Sequence, residues 1–305
     1  MSLWGSAWDG HDRRPLRIGM VAIMALSQAV EAFQVGWQSQ DTTRYPPTGA
    51  LSRSLAELPG AAWVLLALIG LGLYGVARDR RPITSGVLAL GVAAVLSEWQ
   101  TQIFGSPSRN AFFPGAVLFG WVLGQVWAVN LRSDRSFRER LAEAGAIGCL
   151  AAAYVGSALS KVLSTGLAWA DGAQVRALVL QQQPLAQWGP LLAVRSAIIE
   201  SQDVAIAASV ATLAIEGGAV LLLFGARLRL AWGLLLIGLH ASIAAINTMP
   251  YVGASLLLAL LCLPWKRPAE AEDLPPRLPT QVAVLLLCTV IAAWASARWG
   301  WRASS

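Results

Sequence analysis

The chain has 305 residues, of which 56% are hydrophobic and only 13% are charged, and its formal net charge is +6. Soluble domains carry about twice that charged fraction, so the composition argues against a soluble globular protein. The arginines lie in short clusters between apolar runs, which is typical of membrane topology signals and not of a nucleic-acid-binding surface.

Apolar runs of about 18 or more residues recur along the chain, and about 20 helical residues cross the hydrocarbon core of a bilayer. Uninterrupted apolar runs predict helices, so the fold class is all-α, a polytopic transmembrane helical bundle. The sequence predicts eight to nine spans, of which the short eighth is the weakest. They lie at about 16–37, 60–77, 83–104, 112–130, 141–163, 203–225, 230–247, 250–264 and 281–298. The first run is too long for a signal-peptide core and is interpreted as a retained span.

The basic residues are distributed unevenly between the two sides of these spans. With a cytoplasmic N-terminus, the inner side holds Arg13, Arg14, Arg17, Arg78, Arg80, Arg81, Arg132, Arg135, Arg138, Arg140, Arg227, Arg229, Lys266, Arg267 and Arg277, and the outer side holds Arg44, Arg53, Arg109, Arg176, Arg195, Arg298 and Arg302. This asymmetry predicts a cytoplasmic N-terminus and a location in the cytoplasmic (inner) membrane. The chain then divides into a cytoplasmic tail at 1–15, a bundle at 16–265, and a cytoplasmic loop with a final span at 266–305.

Two outer segments are long, at 38–59 and at 164–202. In the second segment, Asp171 is a candidate cap for a short interfacial helix that carries Val175, Leu178 and Val179 on one side. Trp169 and Trp188 flank this helix, as the aromatic residues of a membrane interface do.

Neither a disulfide framework nor a metal site is expected. The three cysteines, Cys149, Cys262 and Cys288, all fall inside apolar runs without a CxxC spacing. The two histidines, His11 and His240, fall on opposite sides of the predicted membrane, so they cannot share a metal ion.

Polar residues recur at helical spacing inside several spans. Tyr154, Ser157, Lys161 and Ser164 follow one face of the fifth span, and Lys161 is the single lysine before residue 266. Four further stripes contain Glu31, Glu98, Glu216 and His240, and charge that faces lipid costs several kcal/mol. The stripes are therefore expected to face inward and to line a cavity that opens outward.

Each of these polar residues also has a structural explanation. A lysine near a helix end can snorkel to the headgroups, and a histidine on an apolar helix more often packs than binds a ligand. Glu31 and Glu98 are candidates for an ion pair with Arg109 or Lys161. For Glu216 we expect a partner within the bundle, either an arginine or histidine on a neighbouring helix or backbone groups.

The order of Tyr154, Ser157, Ala158, Lys161, Trp169 and Gly172 resembles the "Y-x-x-A-G-x-x-K-L … W-x-x-G" signature of the HTTM (horizontally transferred transmembrane) family, which includes the vitamin K-dependent gamma-glutamyl carboxylase. A second stretch, with Glu216 before a basic turn and His240 before Tyr251 and Gly253, is similar to that family's second signature. The resemblance covers about 154–265. A weaker resemblance exists to DoxX-like membrane proteins.

The resemblance implies a role for Lys161 as a base, because in the carboxylase the matching lysine deprotonates reduced vitamin K. Poor solvation weakens the hold of an amine on its proton, and a neutral amine can act as a base. A reduced quinone is accordingly the candidate cofactor, since it partitions into the bilayer.

The sequence also departs from the carboxylase pattern. The interval between Lys161 and Trp169 is three residues longer, Asn110 stands where the carboxylase has a functional histidine, and the large lumenal domain is not expected here. Gamma-carboxylation itself is therefore not expected.

The leading hypothesis is an HTTM-like enzyme that modifies an exported peptide or a lipid-soluble substrate at an outward-facing cavity. Lys161 is the candidate base, supported by Glu216 and His240, and the candidate substrate-binding residues are Tyr154, Ser157, Trp169, Glu31, Glu98 and Asn110. Expected partners are the lipid bilayer and an exported peptide or redox protein, without nucleic acid. The alternative is a non-catalytic membrane partner in toxin or peptide maturation, export or immunity; a transporter is a weaker third reading because no internal repeat is visible.

Overall fold

The computed structural model describes residues 13–39, 49–105, 109–131, 135–182, 187–247 and 251–263, and in these ranges the chain is helical without a β-strand. The α-helices are α1 (Arg14–Gln38), α2 (Ala50–Ala56), α3 (Ala61–Ala77), α4 (Pro82–Phe104), α5 (Arg109–Asn130), α6 (Arg135–Thr165), α7 (Ala173–Gln181), α8 (Gly189–Glu200), α9 (Gln202–Gly217), α10 (Ala226–Asn247) and α11 (Val252–Cys262). Two 3-10 helices, Gly166–Asp171 and Gly218–Leu223, follow α6 and α9 directly.

Among the described residues, six helical segments are long and apolar enough to cross a membrane: α1, α4, α5, α6, α9 together with the 3-10 helix that follows it, and α10. They coincide with six of the nine predicted spans and confirm the helical membrane class. The second predicted span corresponds to α3, which with α2 forms a pair bent by 99°. The eighth corresponds to α11, whose 11 residues extend only about 16 Å and so do not reach across a hydrocarbon core of about 30 Å. The ninth, at 281–298, lies outside the described residues.

The chain divides into two compact units, with the boundary between Leu150 and Ala151 inside α6. In the N-terminal unit, α1 packs against α3, α4 and α5, and α3 packs along α4. The closest approach to α6 occurs at Gly145, where a side chain would collide with the backbone of Gly120 on α5. Small residues at such crossings allow two helix backbones to touch.

A network of ion pairs joins three helix ends in the N-terminal unit. Arg17 contacts Asp79 at 3.4 Å and Glu139 at 3.6 Å, and Arg135 contacts the same two carboxylates at 3.0 and 3.4 Å. The start of α1, the turn between α3 and α4, and the start of α6 therefore lie at one end of this unit. The sequence predicts all three on the inner side of the membrane; the structure bears out that they share an end, and the identity of that side stays a prediction.

In the C-terminal unit, α7 and α8 form a short helical hairpin that packs against α9. Val179, Ile198 and Ala205, one from each helix, form its buried core. Gly172, with φ +85°, directly precedes α7 and lies next to the backbone of Ala205, where a side chain would not fit. The Asp171 carboxylate accepts a hydrogen bond at 2.8 Å from the N–H of Ala173, the first residue of α7, so it contacts the start of the helix, but the N-cap residue is Gly172 and not Asp171 as predicted. The predicted single interfacial helix is thus the first half of a hairpin.

Candidate functional site

The C-terminal unit contains a contact between two charged side chains in helices that are otherwise apolar. Lys161, near the end of α6, forms an ion pair with Glu216, near the end of α9. The side chains are 22% and 9% exposed, so the pair is largely shielded from its surroundings. The predicted partner of Glu216 was an arginine, a histidine or backbone; the structure places a lysine there.

Two further groups hold the Lys161 ammonium. It lies 3.4 Å from the hydroxyl of Ser157, one turn earlier on α6, and 5.0 Å from the centre of the Trp169 ring. A cation above an aromatic face is attracted by the ring quadrupole, most strongly by tryptophan. Trp169 reaches this position because the chain turns back in a 3-10 helix immediately after α6.

Small residues bring α9 close enough for this contact. Gly217 follows Glu216 and lies beside Ala158 on α6, and a side chain at Gly217 would reach the methyl group of Ala158 at 3.9 Å. Next along the chain, Gly218 lies against the indole of Trp232, and that indole donates a hydrogen bond to the carbonyl of Ile215 at 2.9 Å. The end of α9 is therefore fixed between α6 and α10.

A second polar pair lies on the same face of α6, about two turns before Lys161. The Tyr154 hydroxyl and His240 Nε2 are 2.5 Å apart, which joins α6 to α10. Tyr154 is 1% and His240 5% exposed. The ring of Tyr251, just before α11, lies 5.0 Å from the His240 ring. A hydrogen bond that is buried this deeply fixes both rings in position.

The two pairs form one polar site. Tyr154, Ser157 and Lys161 are spaced by three and four residues, so they follow a single stripe about 10 Å long on α6. Of the nine predicted site residues, six are therefore in this unit and near one another: Lys161, Glu216, His240, Tyr154, Ser157 and Trp169.

The other three predicted site residues belong to the N-terminal unit. Glu31 is buried in α1, accepts a hydrogen bond from Gln28 at 3.2 Å, and has Ser97 of α4 beside it. Glu98 accepts a hydrogen bond from Gln102 at 2.9 Å on the same helix. The side chain of Asn110 lies outside the described residues. The convergence of all the polar stripes on one cavity stays a prediction.

Apolar side chains next to Lys161 face outward. Leu163 is 75% and Leu159 39% exposed, and both lie within two residues of Lys161. The hydroxyls of Ser164 and Thr165 donate back to the Lys161 carbonyl, at 3.2 and 2.8 Å, and so leave the pair itself undisturbed. The polar site therefore lies directly behind a surface that suits the acyl region of a bilayer.

Arg195 is a structurally prominent residue that sequence reasoning counted only as an outer basic charge. The residue is 9% exposed, and its guanidinium donates to the carbonyls of Val179 and Gln182, each at 2.6 Å, and to that of Ile246. It therefore connects α8 to the ends of α7 and α10. The signal in the sequence was an arginine inside the apolar run "LLAVRSAII".

No group of three or more histidine, cysteine or acidic side chains that could hold a metal ion occurs in the part of the chain that the structure describes. Comparisons with protein-family models, with curated proteins and with solved structures found no match to this chain.

Proposed function

We propose that this multi-pass membrane protein is an HTTM-like enzyme that modifies a lipid-soluble substrate or an exported peptide, with Lys161 as the base. The observation that supports the proposal is the contact between Lys161 and Glu216 beside the Tyr154–His240 pair. Those four residues come from three helices that are distant in sequence. Ionisable groups inside a membrane protein mark functional sites more often than packing positions.

Proton transfer within the pair would make Lys161 a base. If Glu216 accepts the ammonium proton, the charged pair becomes a neutral amine and a neutral carboxylic acid. Surroundings that solvate charge poorly favour such a neutral pair over two separated charges. The neutral Lys161 amine then removes a proton from a substrate O–H, and the Tyr154–His240 pair orients the substrate from the neighbouring turn.

A reduced quinone fits the residues around this pair. The exposed Leu159 and Leu163 offer an apolar approach from the bilayer, and Lys161 with Glu216 offers a hydrogen-bond donor and an acceptor behind it. A reduced quinone would supply an acidic hydroxyl group at that point. Trp169 provides an aromatic face next to the ammonium, against which a flat ring can stack.

The same geometry also favours a second candidate, a non-catalytic membrane partner in peptide maturation, export or immunity. Lys161 is held by a carboxylate, a hydroxyl and an aromatic face, as in a structural ion pair. In that role the pair would attach α9 to α6 and would never transfer a proton.

One substitution separates the two candidates. Lys161→Arg retains the positive charge and the contact with Glu216, but arginine does not give up its proton in proteins. We expect Lys161→Arg and Lys161→Ala to insert normally, and the Arg variant to keep the parent melting temperature. Both variants should lose at least about 100-fold in quinol-dependent oxygen uptake, measured on protein in lipid nanodiscs, since general base catalysis contributes about 10²–10⁴-fold.

The matched control is Ser164→Ala, which lies on the same stripe and removes a hydroxyl that bonds only its own helix. This variant should keep full activity. An active Lys161→Arg protein would rule out Lys161 as the base and would favour the non-catalytic membrane partner. If the parent protein itself shows no quinol-dependent oxygen uptake, the quinol-linked form of the proposal is wrong.

A further inference from the structure

An open groove of about 490 Å³ lies between α3 and α4 in the N-terminal unit, far along the chain from Lys161. Leu71 and Leu88 line its two walls, and Arg80 and Arg81 line the end where the two helices meet. Its volume falls in the range of sites for small molecules, about 300–1,000 Å³. The inference drawn from it is independent of the proposed function.

The groove follows from glycine contacts between the two helices. Gly72 lies so close to α4 that a side chain would come within 2.7 Å of the Ser85 carbonyl, and a side chain at Gly75 would come closer still to the Ser85 hydroxyl. The helices therefore touch along their glycines, and the larger side chains on either side stand away from this line. Leu71 is 62% and Leu88 40% exposed on the outer surface.

In the turn between α3 and α4, the acidic side chain and the two arginines that follow it make different contacts. Asp79 and Arg81 have φ of +57° and +48°, in the left-handed region that residues other than glycine rarely adopt. The Asp79 carboxylate contacts Arg17 and Arg135, away from the groove. Arg80 and Arg81 are exposed, and neither has a carboxylate partner among the residues that the structure describes.

An aromatic residue, Tyr74, indicates the level in the bilayer at which this end of the groove lies. Tyr74 lines the groove, is 54% exposed, and has the Arg78 guanidinium 5.4 Å from its ring centre. Exposed tyrosines and arginines at the ends of spanning helices lie at the level of the lipid headgroups. The basic end of the groove is therefore placed among phosphates, and its apolar walls lie among acyl chains.

We propose that this groove is a binding site for one anionic phospholipid. The phosphate lies between the guanidinium groups of Arg80 and Arg81, and one acyl chain lies between Leu71 and Leu88. Guanidinium groups bind phosphate oxygens through paired hydrogen bonds, and basic pockets between spanning helices bind anionic headgroups. Simple attraction between basic residues and a charged membrane surface needs no apolar wall. The groove provides such a wall, which favours the binding of an individual lipid.

The test is native mass spectrometry of the full-length protein, delipidated in detergent and titrated with phosphatidylglycerol, phosphatidylcholine or inorganic phosphate. We expect one phosphatidylglycerol to bind at least fivefold more tightly than phosphatidylcholine, and inorganic phosphate not to compete at equal concentration. Arg80→Gln with Arg81→Gln should weaken phosphatidylglycerol binding about tenfold or more. Arg53→Gln, an exposed arginine in the last turn of α2 and outside the groove, is the matched control and should stay within twofold.

A second pair of variants tests the apolar wall. Leu88→Trp fills the groove and should weaken phosphatidylglycerol binding at least fivefold, whereas Val87→Trp, its exposed neighbour outside the groove, should not. Both residues face lipid, so both variants should fold. Equal binding of the two lipids, effective competition by inorganic phosphate, or equal effects of the two tryptophans would each overturn the proposal; effective phosphate competition would identify a site for free phosphate.

Discussion

Lys161 and Glu216 illustrate how a membrane protein keeps a charged pair inside apolar helices. Moving either charge alone from water into an apolar interior costs several kcal/mol, and their contact offsets part of that cost only while both are present. Ser157 and Trp169 contact the ammonium as well, so the lysine is held by three side chains. The pair is therefore sensitive to the loss of either member.

Removing the carboxylate should destabilise the protein more than removing both charges. We expect Glu216→Leu to lower the free energy of unfolding by about 2 kcal/mol, less than the 3–5 kcal/mol of a fully buried pair, because Lys161 is 22% exposed. The double variant Lys161→Met with Glu216→Leu should regain most of the loss. Thermal denaturation in detergent, followed by circular dichroism, measures the three melting temperatures.

Glu200→Leu is the matched control, since Glu200 is exposed at the end of α8. Its melting temperature should equal that of the parent. An unchanged melting temperature for Glu216→Leu would mean that surrounding solvent screens the pair, and would remove the argument that this site is poorly solvated.

The α7–α8 hairpin shows how short helices with many terminal groups are accommodated. Each helix end leaves backbone carbonyls without partners inside the helix, and such groups are costly in apolar surroundings. Arg195 donates to two carbonyls at the end of α7 and to Ile246 at the end of α10. One side chain on α8 therefore satisfies two helix ends.

Loss of this guanidinium should loosen the hairpin. We expect Arg195→Gln to lower the free energy of unfolding by about 2–4 kcal/mol, because each hydrogen bond from a charged donor contributes about 1.5–3 kcal/mol and glutamine cannot reach all three acceptors. Arg195→Lys should lose less than Arg195→Gln. Hydrogen exchange of the α7 amides should rise in step with the fall in melting temperature.

Arg176→Gln provides the comparison on α7 itself, where the half-buried Arg176 contacts only the Gln202 side chain, at 2.9 Å, in the described bonds. That change should leave exchange on α7 within twofold of the parent. If Arg195→Gln behaved in the same way, the three carbonyls would be satisfied by other groups and the capping role would be wrong.

The helices themselves were predictable because apolar length and periodicity are local properties. The stripe at Tyr154, Ser157 and Lys161 was also visible, since the spacing of three and four residues fixes a common face. The partner of Lys161 was not predictable, because a sequence separation of 55 from Glu216 gives no information about which helices become neighbours. The second half of the hairpin was missed for the same reason: helices of 9 and 12 residues are stable only through what they pack against.

At a larger scale, alternation of the helices between two ends is the property that sequence and structure share in the N-terminal unit. The ion pairs of Arg17 and Arg135 place the start of α1, the α3–α4 turn and the start of α6 together. Ser52 and Gln102, joined by a backbone-to-side-chain bond of 3.0 Å, place the start of α2 beside the end of α4. Both contacts agree with the alternation that the basic residues predict.

The positive-inside rule assigns the cytoplasmic side and gives a direct test. Because short cytoplasmic loops retain arginine and lysine, we expect the end that holds Arg17, Arg81 and Arg138 to be cytoplasmic. Reporter fusions after Arg81 and after Arg138 should give cytoplasmic activity, and fusions after Arg53 and after Gln183 should give activity on the outer side. If the fusions after Arg81 and after Arg138 reported opposite sides, the result would contradict the structure. The ion pairs of Arg17 with Asp79 and Glu139 place these two segments at the same end. A cytoplasmic signal after Gln183 would place the α7–α8 hairpin, and with it the approach to Lys161, on the inner face of the membrane. A substrate that is exported across the membrane would then no longer suit the site.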